Sequence, residues 1–203
     1  MIRIAVVDHG AGNLVSMEQA LEDVGATAVR IDDGQDLAPF DGVVLPGVGA
    51  TAAAMRTLRR RRLIDPLRAY PGPLLGVCVG LQLLFERSDE DDATCLGLLP
   101  GSVRRIQATT LPHMGWNTIE EVSDPLLPSI GSPTFYFVHS YVAEPVDRAI
   151  VTSWTTHGTD RFPASVRRGR IAGVQFHPER SGPAGIAVLE RFVDECKDHR
   201  RAA

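Results

Sequence analysis

The first half of the chain alternates short apolar runs with stretches in which apolar residues recur every three or four positions. The runs are IRIAVVD from Ile2, ATAVRI from Ala26, GVVLPG from Gly42 and PLLGV from Pro73. Runs that are apolar on both faces are typical of buried parallel strands. The stretches between them predict helices, the first of which begins after Asn13 as its cap and ends before Gly25. This alternation predicts a three-layer α/β fold, with a mostly parallel central sheet flanked by helices.

The second half changes character between Ser102 and Phe176. Four short runs separated by turn residues predict further strands: SVRRI, TFYFVHSYV, AIVTSW and RIAGVQF. We expect them to form an antiparallel extension of the same sheet. A last helix begins at Ser181-Gly182-Pro183, and neither a repeat nor a linker divides the 203 residues. We therefore expect one domain, residues 1–203.

Charge and hydropathy narrow the classes of function. The formal net charge of −4 disfavours a nucleic-acid surface, which needs a clustered basic excess. The one basic run, RTLRRRRL from Arg56 to Leu63, is interpreted as a solvated helix face, with a docking surface as the alternative. No apolar run approaches the roughly 20 residues that a membrane span needs, and the N-terminus lacks a signal sequence. We expect a cytoplasmic protein that binds neither nucleic acid nor membrane.

The three cysteines, Cys78, Cys95 and Cys196, lack the spacing of a metal site or a disulfide framework. This suits a reducing compartment, and we expect no metal and no cofactor. Cys196 falls in a helical pattern and is assigned to the core. Cys95 follows ERSDEDDAT, interpreted as an acidic surface loop, and is interpreted as incidental. Cys78 differs from both, because it stands between Gly76 and Gly80 where an apolar strand runs into an apolar helix.

Cys78 is therefore a candidate nucleophile. A tight strand-to-helix turn exposes the side chain at its apex, and a helix N-terminus favours thiolate over thiol. A small residue packed at a tight turn would give the same short motif, so the cysteine alone does not decide the function. GVQFHPE near the C-terminus supplies the partners: His177 as a base at a strand end, and Glu179 to orient it. In an open α/β sheet, ligands lie outside the carboxyl ends of the strands, and since Cys78 and His177 each end a strand, we expect them to meet.

Acyl transfer also needs N–H donors for the oxyanion. The backbone N–H of Val79, which follows the nucleophile, is one candidate. The loop Pro46-Gly47-Val48-Gly49 is the other, because its glycines let a backbone amide approach a substrate closely. An ordinary glycine-rich strand-to-helix turn is the alternative for that loop.

Taken together, these motifs closely resemble those of the triad (class I) glutamine amidotransferases over nearly the whole chain. GVCVGLQLLF is similar to their nucleophile elbow and GVQFHPE to their His-x-Glu signature. Within that class VVDHGAGNL, LPGVGA, PHMGWN, YFVHSY and FHPERSG are similar to the glutaminase subunits of imidazole glycerol phosphate synthase, of histidine biosynthesis. The resemblance implies a flavodoxin-like fold and a triad of Cys78, His177 and Glu179. It also implies an oxyanion site formed by amides of Gly47, Val48, Gly49 and Val79.

The resemblance further implies hydrolysis of L-glutamine to glutamate and ammonia through a thioester on Cys78. Six residues match positions that hold the substrate: Gln82, Glu90, Tyr136, His139, Ser140 and Tyr141. The implied partner is a (β/α)-barrel cyclase subunit in a heterodimer, which uses the ammonia to form imidazole glycerol phosphate and an aminoimidazole carboxamide ribotide. Hydrolysis is expected to be slow until that partner is docked and occupied. Candidates for the docking face are Asn13, Met114, Trp116 and Arg180.

The sequence departs from the family pattern outside the triad. His9 stands where a tyrosine is more usual, and Arg180 replaces the usual lysine, which differs from arginine in geometry. Three alternatives stay open at this point. They are the glutaminase subunit of another ammonia-channelling synthase, a stand-alone γ-glutamyl hydrolase, and a catalytically silent regulatory subunit of the same fold.

Overall fold

The computed structural model describes residues 1–10, 13–128 and 133–202. Within them the strands are β1 (Ile2–Val7), β2 (Ala26–Ile31), β3 (Gly42–Leu45), β4 (Leu74–Val77), β5 (Arg87–Ser88), β6 (Ala93–Thr94), β7 (Gly101–Arg105), β8 (His113–Thr118), β9 (Thr134–His139), β10 (Tyr141–Pro145), β11 (Val151–His157), β12 (Asp160–Arg168) and β13 (Ile171–Val174). The α-helices are α1 (Leu14–Asp23), α2 (Thr51–Arg60), α3 (Ile64–Ala69), α4 (Val79–Leu83) and α5 (Gly182–Ala202). Short 3₁₀ turns lie at Glu90–Asp92, Arg148–Ile150 and Pro178–Arg180.

The main sheet has seven strands in the order β11-β12-β13-β4-β3-β1-β2. Strands β2, β1, β3, β4 and β13 pair in parallel, and β12 and β11 continue the sheet antiparallel. Every residue of β3 and β4 is buried, as are five of the six in β1. A strand buried at successive positions is covered on both faces. The predicted three-layer α/β fold, with helices flanking a mostly parallel sheet, is confirmed.

The pairing of the second half differs from the prediction. Only β11 and β12 extend the main sheet antiparallel, and β13, the RIAGVQF run, is parallel to β4. Strands β10, β7, β5 and β6 form a separate four-stranded sheet, and β8 with β9 forms a two-stranded ribbon. Strand β12 was not among the predicted runs. Periodicity along one sequence marks a strand but not its neighbour, which is why these partners were missed.

The first helix begins and ends as predicted, with one difference. Asn13 occupies the cap position of α1, but its side chain makes no capping hydrogen bond. Gly25 follows the helix with φ +84°, in the left-handed region that glycine adopts without strain. The basic run lies on α2 and the turn after it, where Arg56, Arg59 and Arg60 are exposed and Leu58 is buried. Exposed arginines on this face fit both predictions, a solvated helix face and a docking surface.

Candidate active site

Cys78 occupies the turn between β4 and α4 with φ +55°, a conformation that residues other than glycine rarely adopt. Its backbone N–H donates to the carbonyl oxygen of Val174 in β13, at 2.8 Å. The flanking glycines are required by contact. A methyl group on Gly76 would come within 2.7 Å of the Gly80 carbonyl oxygen, and one on Gly80 would overlap the Leu45 carbonyl oxygen. The helix α4 can therefore lie directly on β3 and β4 only because both positions are glycine.

His177 reaches the same edge of the sheet from the neighbouring strand. Strand β13 runs parallel to β4 with Val174 opposite Val77, so the chain leaves both strands at one edge. The backbone N–H of His177 donates to the Tyr136 carbonyl oxygen at 2.9 Å, which holds the segment against β9. The histidine side chain is 2% exposed. The predicted meeting of Cys78 and His177 thus follows from the pairing of two adjacent parallel strands.

Glu179 orients His177. The Nδ1 atom of His177 lies 3.0 Å from Oε1 of Glu179, and both side chains are buried. A carboxylate can only accept, so Nδ1 carries the proton and Nε2 is the atom that can exchange a proton with sulfur. Nε2 has no hydrogen-bond partner among the described residues. Burial lowers the pKa of His177, but the Cys78 sulfur and then the Glu179 carboxylate outweigh it and raise that pKa above its ordinary value.

A cavity of about 270 Å³ opens beside the sulfur of Cys78. Its wall contains Gly49, Cys78, Val79, Gln82, Glu90, Pro112, Val138, His139, Ser140 and Tyr141. Five of the six predicted substrate residues are in this set, and the size suits an amino acid rather than a drug-sized ligand. A larger cavity of about 680 Å³, lined by Arg105, Leu111 and Gly158 among others, contains none of the predicted residues. The smaller cavity is therefore the candidate substrate site.

Glu90 belongs to this wall because it is held by the start of α2. Its Oε2 accepts from the Thr51 N–H at 2.8 Å and from the Thr51 hydroxyl at 3.2 Å. The interpretation of ERSDEDDAT as only an acidic surface loop is wrong, since Arg87–Ser88 is a strand and Ser88 is buried. The many acidic residues of the segment predicted exposure to solvent, but the Glu90 carboxylate points inward and caps α2.

Tyr136 does not line the cavity, contrary to the prediction. It lies two positions before Val138 on the same face of β9, about 7 Å further along the strand. Its ring packs against Trp116, with centroids 6.2 Å apart, and lies 4.3 Å beneath the guanidinium of Arg180. Tyr136 therefore belongs to an outer surface, not to the substrate site.

That outer surface contains three of the four predicted docking residues. Met114 and Trp116 are 62% and 60% exposed on β8, and Trp116 pairs with Tyr136 across the ribbon. We refer to Met114, Trp116, Tyr136 and Arg180 as the docking surface. The HMGWN segment belongs to the strand β8. Asn13 is exposed at the start of α1, the helix that packs against the Pro178–Arg180 turn.

The oxyanion donors are not arranged as predicted. The Val79 N–H faces the carbonyl oxygen of Gly47 at 3.4 Å, so one predicted donor is occupied by the loop expected to supply the other. Gly47 itself is confined, because a methyl group there would lie 2.7 Å from His9 Nε2 and 2.9 Å from Val79 Cβ. The buried His9 ring donates from Nε2 to the Pro46 carbonyl oxygen at 2.6 Å. Glycines permit either orientation of this peptide, which is why sequence could not choose between them.

The next two residues of the loop are less confined, and the second of them reaches the cavity. The Val48 side chain is 37% exposed, and Gly49, with φ +92°, lines the cavity beside Cys78. The loop is thus close enough to donate to a substrate once its amides face inward.

Gln175 is a site residue that sequence reasoning did not single out. Its side chain is fully buried, and its Nε2 lies 3.7 Å from the sulfur of Cys78. Its Oε1 accepts from Gln82 Nε2 at 3.3 Å. A partial signal was present, because Gln175 stands two positions before His177 at the end of the predicted strand RIAGVQF, and residues so spaced on a strand share a face.

The other two cysteines are buried. Cys196 is fully buried in α5, as predicted for a core residue. Cys95 lies in a loop after β6, as predicted, but it is 1% exposed and packs in the hydrophobic core. Burial, with a smaller contribution from Glu90, raises the pKa of Cys95 to about 11. In the described part of the chain, no helix has both the length and the apolar surface to cross a bilayer.

Comparison with known proteins agrees with this geometry. The profile of the family Glutamine amidotransferase class-I matches residues 5–196. A solved glutamine amidotransferase aligns with a TM-score of 0.75 at 20% identity, covering 95% of this chain and 98% of the other. PurLQS from Thermotoga maritima aligns with a TM-score of 0.72 at 18% identity, covering 95% and 97%. These two likenesses show the fold alone, and the profile shows that the chain belongs to the class I glutamine amidotransferases.

Closer relatives place it within that class. Imidazole glycerol phosphate synthase subunit HisH of Acaryochloris marina is 44% identical over 204 residues, covering 96% of this chain and 95% of the relative. The subunit HisH of Idiomarina loihiensis is 42% identical over 195 residues, covering 95% and 98%. The chain belongs to the HisH subunits of imidazole glycerol phosphate synthase.

Proposed function

We propose that this chain is the glutaminase subunit of an imidazole glycerol phosphate synthase and hydrolyses L-glutamine with Cys78, His177 and Glu179. The observation that carries the proposal is the buried His177–Glu179 pair, 3.0 Å apart, which follows β13, the strand paired with β4, beside the strained Cys78. The raised pKa of His177 supports a protonated imidazole beside a cysteine sulfur. A complete set of nucleophile, base and orienting group favours catalysis over a silent regulatory subunit.

Acylation begins when the Cys78 sulfur attacks the side-chain carboxamide carbon of glutamine. The carbonyl electron pair moves to oxygen and gives a tetrahedral oxyanion. As the pair returns, the carbon–nitrogen bond breaks and His177 gives its Nε2 proton to the departing nitrogen. Ammonia leaves, and a γ-glutamyl thioester stays on Cys78.

Deacylation reverses the role of His177. The imidazole, now neutral, takes a proton from a water molecule that attacks the thioester carbon. The carbon–sulfur bond breaks, glutamate leaves, and the Cys78 thiolate and imidazolium are restored. One glutamine and one water give one glutamate and one ammonia.

Recognition of the amino-acid end of the substrate falls to the far wall of the cavity. The Glu90 carboxylate carries the charge that complements the α-ammonium group, and Thr51 holds it in place. Gln82 donates from Nε2 to the Tyr141 carbonyl oxygen at 2.8 Å, which leaves its Oε1 as an acceptor for the substrate. Ser140 and Tyr141 complete the wall.

The resting subunit is expected to be slow. The Val79 N–H is engaged by the Gly47 carbonyl oxygen, and an oxyanion needs that donor free. Removal of one oxyanion donor typically costs about 10²- to 10³-fold in kcat. Full activity therefore requires that the Gly47 peptide turn away from Val79.

A cyclase subunit is the partner that fits this behaviour. Ammonia released into neutral water is protonated and loses its nucleophilicity, so the product has to pass directly to the acceptor's enzyme. The exposed docking surface of Met114, Trp116, Tyr136 and Arg180 adjoins the His177 segment through the Arg180 contact with Tyr136. Aromatic residues and arginine are enriched at interface hot spots. We infer a heterodimer that works in the cytoplasm, where buried free thiols such as Cys95 and Cys196 persist.

The test is the rate of glutamate release by the chain alone, with the cyclase subunit, and with the cyclase plus its nucleotide ligand. We expect an increase of at least about 10²-fold in the last case, from recovery of the oxyanion donor. Equal rates in all three would contradict the synthase assignment and favour a stand-alone hydrolase. No glutamate in any of them would favour the silent subunit.

A further inference from the structure

A line of hydrogen bonds runs behind the substrate wall through three side chains. Asn117 Nδ2 lies 3.1 Å from His113 Nε2, and His113 Nδ1 lies 3.0 Å from His139 Nε2. His139 Nδ1 lies 3.0 Å from the carbonyl oxygen of Tyr141. Both imidazoles are buried, at 4% and 7% exposure. Neither belongs to the triad.

The hydrogen bonds in this line can be donated in only one direction, from Asn117 towards Tyr141. A carbonyl oxygen can only accept, so His139 Nδ1 carries the hydrogen. A neutral imidazole carries one, so its Nε2 is an acceptor and must receive the hydrogen of His113 Nδ1. His113 Nε2 is then an acceptor in turn and takes a hydrogen from Asn117.

The far end of the line is fixed as well. Asn117 Nδ2 gives its second hydrogen to the Thr156 carbonyl oxygen at 2.9 Å, and Asn117 Oδ1 accepts from the Thr118 N–H at 2.8 Å. The amide therefore cannot turn over without losing both bonds. Burial favours the neutral rings that the line requires, since it lowers the pKa of His113 to about 4 and that of His139 to about 3.

The near end meets the substrate wall. The Tyr141 carbonyl oxygen that accepts from His139 also accepts from Gln82 Nε2 at 2.8 Å. Gln82 Nε2 and Gln175 Oε1 are 3.3 Å apart, which connects the same group to the residue beside Cys78. Both nitrogens of His139 are used, so His139 has no nitrogen left for the substrate, unlike the role that sequence assigned to it.

We propose that Asn117, His113 and His139 are positioning residues, which hold the Tyr141 carbonyl in place and thereby set the rotamer with which Gln82 binds glutamine. The proposal rests on the proposed function, because Gln82 is a substrate residue only there. It concerns binding rather than chemistry. Disturbing the line therefore raises the KM for glutamine more than it lowers kcat.

Packing alone is the competing explanation. The His113 ring stacks between Phe137 and His157, with centroids 4.8 and 4.4 Å away. A flat apolar ring would serve that purpose equally well. A variant of His113 that keeps an aromatic ring but no donor, compared with one that keeps the donor but no ring, therefore distinguishes the two explanations.

Three variants of His113 make the comparison. In His113→Asn the amide nitrogen takes the place of Nδ1 and can still donate to His139. In His113→Gln the amide lies where Nε2 was and cannot, and His113→Phe keeps the stack but has no donor. The glutaminase KM and kcat of each are measured in the complex with the cyclase subunit and its nucleotide ligand, and thermal unfolding of each is recorded.

We expect KM to rise about three- to tenfold in the Gln and Phe variants and to stay within about twofold in the Asn variant, the change expected from one hydrogen bond. A KM that is unchanged in all three, or that follows thermal stability irrespective of the donor, would overturn the proposal.

Imidazole tautomers give a readout that does not depend on activity. Long-range ¹H–¹⁵N spectra of the uniformly labelled chain should show His113 and His139 both protonated at Nδ1 only. A proton on Nε2 of either ring would refute the line of hydrogen bonds, whatever the kinetics. An inactive protein with the expected tautomers would count against the proposed function and leave the line intact.

Discussion

Gly80, in the first turn of α4, lies so close to the carbonyl oxygen of Leu45 at the end of β3 that a β-carbon would overlap that oxygen. The helix that follows the nucleophile is thereby seated on the sheet with no gap. The position of Cys78 and of the Val79 N–H depends on this contact, because both belong to the same turn.

Gly80→Ala is expected to push α4 off the sheet. Overpacking of this kind costs about 1–3 kcal/mol or more in the free energy of unfolding, and glutaminase activity should fall with it. Urea unfolding of the variant measures the cost. Gly25→Ala is the control, since a methyl group there meets nothing within 4 Å and the cost, from φ +84° alone, should be about 1–2 kcal/mol. A loss of glutaminase activity no greater in Gly80→Ala than in Gly25→Ala would show that the contact with Leu45 is unimportant for the site.

Glu179→Gln is expected to lower kcat by about 10²- to 10⁴-fold, since the tautomer of His177 is no longer fixed. The carboxylate is one of the groups that raise the pKa of His177, so its loss lowers that pKa. The alkaline limb of the kcat/KM profile should therefore move to lower pH. Glutamate release by the complex, followed from weakly acidic to alkaline pH, measures the shift. An unmoved limb would mean that His177 does not govern it.

A diazoketone analogue of glutamine is expected to label Cys78 alone. Cys95 and Cys196 are buried, and burial raises the pKa of both thiols, which leaves little thiolate to react. Peptide mass spectrometry after treatment locates the adduct. Cys78→Ala should abolish labelling, whereas Cys95→Ala should keep it. Modification of Cys95 in the folded protein would contradict the assignment.

Acidification is expected to destabilise the fold through His113 and His139. Their pKa values in the folded chain, about 4 and about 3, lie below the ordinary value of 6.5, so the unfolded chain binds these protons first. Their effect on the free energy of unfolding is absent above pH 6.5. As pH falls towards 4, proton uptake by the unfolded chain lowers that free energy by up to about 1.4 kcal/mol per pH unit for each ring.

Chemical denaturation at a series of pH values measures this slope. His9, whose pKa burial also lowers, contributes in the same sense. His177 does not, because its raised pKa makes its contribution complete below 6.5 and lost only as pH rises. His113→Asn should reduce the slope by the contribution of one imidazole. An unchanged slope in that variant would show that His113 is already protonated in the folded chain.

Trp116→Ala is expected to weaken the complex with the cyclase subunit. A hot-spot tryptophan contributes about 2 kcal/mol or more, which corresponds to at least about a 30-fold rise in Kd. Titration calorimetry measures the Kd. Val146→Ala is the matched control, because Val146 is 78% exposed but lies outside the docking surface. Equal Kd values for the two variants would remove Trp116 from the interface.

Cys78, His177 and Glu179 could be proposed as a triad from the sequence because each depends on local features. A glycine-flanked cysteine, a histidine at a strand end and a carboxylate two residues later are visible without knowledge of tertiary structure. The sequence also placed Cys78 and His177 at strand ends, but it missed the parallel pairing of β4 with β13 that brings the two ends to a common edge.

Features that depend on tertiary orientation could not be predicted. The direction of the Gly47 peptide, the face on which Tyr136 lies and the inward turn of Glu90 are decided by contacts with His9, Arg180 and Thr51. Nothing near each residue in the sequence specifies those neighbours. The hydrogen-bond line through His113 and His139 likewise depends on the pairing of β8 with β9, which periodicity did not reveal.

The register of Val77 with Val174 has a consequence for how such proteins diversify. Nucleophile and base are attached to adjoining strands at the centre of the sheet, whereas much of the polypeptide between them forms side structures that leave β4 and return to β13. Insertions, deletions and altered surfaces in that excursion need not change the spacing of the reacting atoms. A lineage can therefore acquire a different recipient for its nitrogen while inheriting the same hydrolytic centre.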